Sequence, residues 1–423
     1  MSRIIVNSEK NGFEKDGKPF FYLADTFWSA FTNATEDEWI YYLEKRKMQG
    51  FNTVQINTMP QWDRCLSDIG IYPFETEDGQ KFDFTKRNDE YYKHAAKMCE
   101  IAVEKGFTPA LVVLWLNFVP DTWAAKFMDC NLMSEDFIRP YTENIVEVFD
   151  RFDPIYIVSG DTDFETPRAI RYYKQALDVL CEKSPDSLKT LHIKRGYDVI
   201  PEELIDKIDF YMYQSGHNKD GQDMAYKLPA SLKDKYPKKP IVNAEPCYEQ
   251  MGYSRNVYGR FGQEDVRKAA WQSILSGASA GVTYGAHGVW NWYKSNAPHN
   301  KIIGEGFDCA FPCMDALHFP GASDYGFIKK YILNENLCGI QPVQEILLNE
   351  TEEIRIAKKN DTYLAYVPRT TCLRLKGDFS ACIAIAYDLT THAEMELKIQ
   401  HKENESTFEM PLFQRDMVIS ISK

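Results

Sequence analysis

Apolar and polar positions fall into two textures along the chain. From residue 20 to about 335, short β-type runs alternate with stretches of helical periodicity. The runs span 20–24, 53–57, 108–115, 155–159, 190–194, 210–214, 240–244 and 281–284. Helical patterns follow at 35–49, 89–105, 134–152, 166–182, 201–207, 224–236, 264–279 and 324–333. The first opens on Thr35 with Glu38 three positions on, a capping box. Eight β-α repeats predict an α/β protein, a (β/α)8 TIM barrel, over a doubly wound sheet, which uses fewer strands. The unbroken apolar stretch from Ala110 to Leu116 reads as a parallel strand buried on both faces. The first eighteen or so residues predict a strand outside the repeat.

Beyond about residue 338 helical periodicity stops. Ile383, Ile385 and Tyr387, then Met395, Leu397 and Ile399, alternate with period two, as in strands with one buried face. The expected organisation is a barrel catalytic domain over 1–337 and a C-terminal antiparallel β-sandwich over 338–423. The aromatics of the second part sit in alternation, which predicts core and a structural role.

Composition narrows the function. The 423 residues carry 62 Asp and Glu against 49 Lys and Arg, a formal net charge of −13. That balance argues against nucleic acid or an anionic membrane surface as partner. No apolar run approaches the ~20 residues of a membrane span. The start has no apolar stretch long enough for a secretory signal, and ten cysteines lie scattered without repeated spacing. Both point to a cytoplasmic protein with reduced thiols. Aromatic residues make up 14% of the chain. Aromatics gathered at strand ends offer flat faces for sugars.

In this fold the reactive groups stand at the C-terminal strand ends. Those ends carry Asp25 and Trp28 on the first repeat, Asn57 on the second, and Trp115 and Asn117 on the third. Asp161 closes the fourth, Gln214 and His217 the sixth, and Glu245 and Tyr248 the seventh; Tyr284, His287 and Trp290 follow the eighth. Two carboxylates at ends four and seven, among amides and aromatics, suit glycosidic cleavage. One acid must protonate the leaving oxygen, and an ionised partner must attack the anomeric carbon or activate water. Asp161 and Glu245 are placed for those roles, with Asp163 as an alternative acid. The expected substrate contacts are Asp25, Trp28, Asn57, Trp115, Asn117, Gln214, His217, Tyr248, Tyr284, His287 and Trp290. Trp292 is a further aromatic candidate.

Several segments resemble one family. They are Pro19 to Trp28, Gln49 to Gln55, Ser159-Gly160-Asp161, Tyr213 to His217, Asn243 to Glu249 and Gly281 to His287. Together they resemble the apiosidase-like glycoside hydrolases (family 140-like) over residues 15–423, including a small C-terminal β domain. The resemblance implies a retaining hydrolase with the strand-four Asp as acid/base and the strand-seven Glu as nucleophile, with no cofactor. Members more usually show Gly-Gly-Asp where this chain has Ser159-Gly160-Asp161. The substrate class implied is plant-type oligosaccharides or small glycosides, cleaved in exo fashion. Two other readings stand beside it: a metal-dependent hydrolase using His192, His217, His287 and Asp161, and a carbohydrate-binding barrel without catalysis. Sequence does not set the oligomeric state or the sugar.

Overall fold

Residues 3–127, 132–254, 257–295 and 309–423 are described by this computed structural model. Met1, Ser2 and Cys130 lie outside them. Eight parallel strands form one sheet: β1 (Tyr22–Thr26), β2 (Thr53–Asn57), β3 (Thr108–Trp115), β4 (Ile155–Gly160), β5 (Lys189–Thr190), β6 (Tyr211–Gln214), β7 (Ile241–Glu245) and β8 (Gly281–Tyr284). Their spatial order is β5-β4-β3-β2-β1-β8-β7-β6. The β5–β6 seam is stitched by single bonds, such as Asp209 N–H to the Lys189 carbonyl at 2.8 Å and Thr190 Oγ1 to the Phe210 carbonyl at 2.8 Å. The result is the TIM barrel the repeats predict.

The helix after each strand follows the pattern: α1 (Glu36–Met48), α2 (Asp89–Glu104), α3 (Glu135–Phe149), α4 (Pro167–Lys183), α5 (Glu202–Ile205), α6 (Met224–Lys235), α7 (Gln263–Leu275) and α8 (Gly321–Asn334). Thr35 and Glu38 make the reciprocal capping box on α1. Every residue of β3 is buried, as a strand covered by helices outside and side chains inside must be. α5 is only four residues long, shorter than the pattern suggests.

Three features were not anticipated. The N-terminus makes three short antiparallel strands (Ile4–Val6, Phe13–Lys15, Lys18–Phe20) rather than one. A hairpin of Phe74–Thr76 with Phe82–Arg87 rises in the long connection after β2. In the C-terminal part, Leu373–Lys376 forms a strand where no alternation was read, and the alternation of Met395, Leu397 and Ile399 falls on two strands, Glu394–Glu396 and Ile399–Lys402.

The C-terminal strands form a six-stranded and a three-stranded antiparallel sheet. Alternation divides the former between two cores. Ala365 and Val367 pack into the sandwich with Leu373, Phe408 and Ile419, while Leu364, Tyr366 and Val418 join the barrel core. The junction is tied by Arg267 on α7, which reaches Asp416 at 2.6 Å and Asp324 at 3.0 Å with almost no exposure. No helix among the described residues is long and apolar enough to cross a membrane. The nine described cysteines are free thiols.

Candidate active site

A cleft of about 370 Å³ opens at the C-terminal ends of the strands, where this fold concentrates reactive groups. Asp161 and Glu245 both line it. They share their walls with Trp28, Trp115, Gln214, His217, Tyr248 and Trp290, all expected from the strand ends.

Glu245 is the last residue of β7 and pairs in register with Gln214 of β6, so the two point to the same side. The Glu245 side chain is 8% exposed. His217 Nε2 lies 2.8 Å from its Oε1, and His192 Nε2 stands 3.1 Å from its Oε2. The first contact is an aligned hydrogen bond; the second has the distance without the alignment. Hydrogen bonding assigns the tautomers. His217 Nδ1 accepts the Tyr248 backbone N–H at 3.3 Å, and His192 Nδ1 accepts the Asp161 backbone N–H at 3.2 Å. A ring nitrogen that accepts carries no proton, so in both rings Nε2 holds the hydrogen; that of His217 is aimed at Glu245, and that of His192 lies beside it off-axis. Burial alone would push the Glu245 carboxyl up, but the two imidazoles outweigh it and hold it at about 2. Glu245 is therefore ionised at any pH near neutrality.

Asp161 follows β4 with φ 55°, in the left-handed region that non-glycine residues adopt at a cost. Side chains pin its backbone on both sides: His192 takes the N–H, and Trp123 Nε1 donates to the carbonyl at 3.0 Å. The preceding Gly160 is obligatory for packing, because a Cβ there would meet the Trp115 ring at 2.0 Å. Asp163, the alternative acid, instead receives Lys194 Nζ at 2.8 Å and is not part of the cleft wall.

Tyr248 enters by its ring and backbone. Its ring centroid is 4.3 Å from that of His217, and its Oη accepts from Trp28 Nε1 at 3.2 Å. Burial, with Glu245 beside it, pushes the phenol well above its usual range, so it stays an O–H group.

Five expected contacts are placed elsewhere. Asp25 is fully buried and faces the helix layer, where it receives Arg46 Nε at 2.6 Å and Tyr42 Oη at 2.9 Å. Tyr284, its register partner on β8, faces the same way and donates to Glu249 Oε2 at 2.6 Å. Asn57 donates to Gln61 at 3.1 Å, and His287 accepts from Trp290 Nε1 at 3.2 Å from behind the wall. Asn117 sits in the buried 3-10 turn Leu116–Phe118. None of the five lines the cleft. Trp292 is buried against Phe27, with ring centroids 4.6 Å apart.

Of the other cleft residues, Trp62, Asp63 and Trp123 gave no signal in the sequence, whereas Lys194 and Arg195 stand where the fifth run, expected over 190–194, was read to end; the strand itself stops at Thr190. Trp62 and Asp63 come from the connection after β2, Trp123 from that after β3, and Lys194 and Arg195 from that after β5. His192 was weighed only as a metal ligand. The imidazoles of His192 and His217 place Nε2 beside Glu245 and use Nδ1 to accept backbone N–H groups, which leaves no nitrogen lone pair for a cation.

Residues 8–338 match the model of a family described as apiosidase-like, catalytic domain. No curated protein matches the chain. Among solved structures, a glycoside hydrolase superposes with a TM-score of 0.80 at 19% identity, covering 100% of this chain and 97% of the other. A family 5 glycoside hydrolase from Bacteroides vulgatus gives 0.81 at 20% identity, covering 100% and 93%. A third structure, described as a putative glycoside hydrolase of the same organism, gives 0.68 at 15% identity, covering 100% and 82%. At these identities the likeness establishes the fold.

Proposed function

The chain belongs to the apiosidase-like glycoside hydrolases, and from that membership we propose that it is a retaining, exo-acting enzyme of plant-type oligosaccharides or small glycosides. Glu245 attacks the anomeric carbon while Asp161 protonates the departing oxygen. Asp161 then deprotonates the water that releases the sugar from Glu245. The observation that carries this reading is the state of Glu245, a carboxylate held ionised by two imidazoles in the cleft that Asp161 also lines. A nucleophile must be ionised when substrate arrives, and a carboxylate held at about 2 always is.

Two further observations favour a hydroxylated ligand. Trp115 Nε1 and Gln214 Oε1 are buried atoms of the cleft wall with no protein partner among the described residues. One is a donor and one an acceptor, as ring hydroxyls require. The tryptophans around them supply apolar faces for the ring. The nine described cysteines, all free thiols, support a reducing compartment, and hence small imported glycosides as substrates.

The test is a panel of aryl glycosides and plant-polysaccharide oligomers, run with the wild type, Glu245→Gln and Asp161→Asn. Glu245→Gln abolishes turnover of every substrate. Asp161→Asn loses about 10²–10⁴-fold on poor leaving groups, the usual contribution of a general acid. It keeps activity on dinitrophenyl glycosides and is rescued by azide, which needs no base. Proton NMR of the first-formed sugar shows the anomer of the substrate; the opposite anomer, or turnover by Glu245→Gln, refutes the mechanism.

A further inference from the structure

The two imidazoles on Glu245 are not equivalent. His217 joins Glu245 to the backbone of Tyr248, so both of its contacts lie on β7 or just beyond it. His192 joins Glu245 to the backbone of Asp161, which follows β4. Between these histidines, His192 is the one that touches both carboxylate-bearing segments.

We propose that His192 is a positioning residue that sets the gap between acid/base and nucleophile, one rigid ring being the spacer between the end of β4 and the end of β7. The inference rests on the roles given above to Asp161 and Glu245.

The ring has little freedom to do anything else. It is fully buried, and its own backbone is stitched to β4: His192 N–H donates to the Ser159 carbonyl at 3.3 Å, and Ser159 Oγ donates to the His192 carbonyl at 3.0 Å. Trp28 meets it edge-on at 5.6 Å and Trp115 lies at 6.0 Å with planes 32° apart. Both tryptophans are cleft walls, so the imidazole is wedged by the surfaces that would hold the sugar. Asp161 needs such an anchor, because its left-handed backbone is not self-stabilising. In a double displacement the two carboxyl groups act on opposite sides of one bond, and an ångström of drift is costly. A ring touching both segments converts two independent positional freedoms into one. The 3.1 Å contact to Glu245, short but off-axis, is the kind that tightens when substrate closes the site.

The charged and titratable groups that share the cleft wall with Glu245 are Asp63, Asp161, Lys194, Arg195, His217 and Tyr248.

Two substitutions separate the two contacts. In His192→Asn the amide oxygen takes the place of Nδ1 and keeps the Asp161 N–H, while the Glu245 contact is lost. In His192→Gln the amide nitrogen takes the place of Nε2 and keeps Glu245, while the Asp161 anchor is lost. Phenyl and dinitrophenyl glycosides of one sugar serve as probes, since only the phenyl leaving group needs a proton. His192→Gln loses about tenfold more kcat/KM on the phenyl than on the dinitrophenyl substrate, as a displaced acid requires. His192→Asn loses equally on both, and its acidic limb moves to higher pH. Equal losses on both substrates in both variants, with an unmoved pH profile, mean that the ring only fills space, and overturn the proposal.

The titration of Glu245, followed by carbon NMR of carboxyl-labelled glutamate and assigned with Glu245→Gln, gives a readout independent of turnover. It rises in His192→Asn and stays at the wild-type value in His192→Gln. An unchanged titration in His192→Asn overturns the coupling even where the hydrolase reading stands. A failed hydrolase reading shows instead as undiminished turnover by Glu245→Gln. A variant that does not fold leaves the test to the other, since each has its own signature.

Discussion

His217 Nε2 and Glu245 Oε1 meet at 2.8 Å in a wall of the cleft, where neither side chain is more than a tenth exposed. This is the aligned contact of the pair that holds the carboxylate ionised against burial. Its removal has a signed consequence. Losing a donor destabilises the ionised form, so the Glu245 carboxyl rises from about 2. A hydrogen bond to a charged group is worth about 1.5–3 kcal/mol, equivalent to about one to two pH units. In His217→Asn the acidic limb of kcat/KM on an aryl glycoside should move up by that amount, with the alkaline limb fixed. A limb that stays in place would assign the ionised state of Glu245 to other groups.

Asp25 and Arg46 make a second, unrelated demand. Both side chains are wholly buried, and their 2.6 Å ion pair lies between β1 and α1. Burial pushes the Asp25 carboxyl up while the guanidinium works against it. Breaking a buried pair from one side strands a charge, at about 3–5 kcal/mol. Asp25→Ala should lower the urea midpoint accordingly, and Asp25→Ala combined with Arg46→Met should recover much of the loss. Turnover by the folded fraction should stay near wild type, because neither group touches the cleft. A large loss of kcat without a stability change would return Asp25 to the site.

Asp25 also shows what the sequence could not reveal. The eight strands were readable because each is an apolar run of the right length between helical patterns, and β2, β3 and β8 coincide with their expected bounds. That Glu245 and Asp161 line the cleft was readable because a carboxylate closing such a run needs a reason to be there. Being at a strand end does not say which face a side chain takes, however. Asp25 and Tyr284 are register partners, so when one faces the helices the other does too, and both leave the site together. Trp62 and Trp123 were silent for a different reason. They lie in connections whose paths are set by tertiary packing rather than by any period. His192 was legible as a residue but not in its role, which depends on two backbones meeting one ring.

Trp62 carries the next expectation. Its ring meets Trp123 edge-on at 5.7 Å, and Trp123 in turn holds the Asp161 carbonyl. The pair therefore stands on the Asp161 side of the cleft, where the proposed mechanism has the leaving group depart. Removing one aromatic face there costs about 0.5–1.5 kcal/mol, up to roughly tenfold. Trp62→Ala should raise KM by that factor for oligosaccharides and by less for small aryl glycosides, with kcat little changed. A kcat loss equal for both substrate types would instead place Trp62 in the support of Asp161.

Glu249 sets a pH dependence of stability that is separate from catalysis. It is 1% exposed, and its Oε2 accepts both the Tyr284 hydroxyl at 2.6 Å and the Gly321 N–H at 2.9 Å. Burial outweighs these donors and pushes the carboxyl up to about 7. The folded protein thus holds this proton between about 4.5 and 7, where the unfolded chain has released it. Where the folded state binds more protons, stability falls as pH rises. At roughly 1.4 kcal/mol per pH unit, the difference amounts to about 3 kcal/mol across that window. Glu249→Gln retains an amide oxygen for the two donors and has nothing to ionise. Urea midpoints should fall from pH 5 to pH 8 in the wild type by more than in the variant. The variant should be the more stable of the two at pH 8 and no more stable at pH 5. Every other group is common to both proteins, so the difference between the two slopes isolates Glu249. Parallel slopes would mean that the carboxyl is already ionised in the fold at pH 5, with Tyr284 and Gly321 sufficient to keep it so.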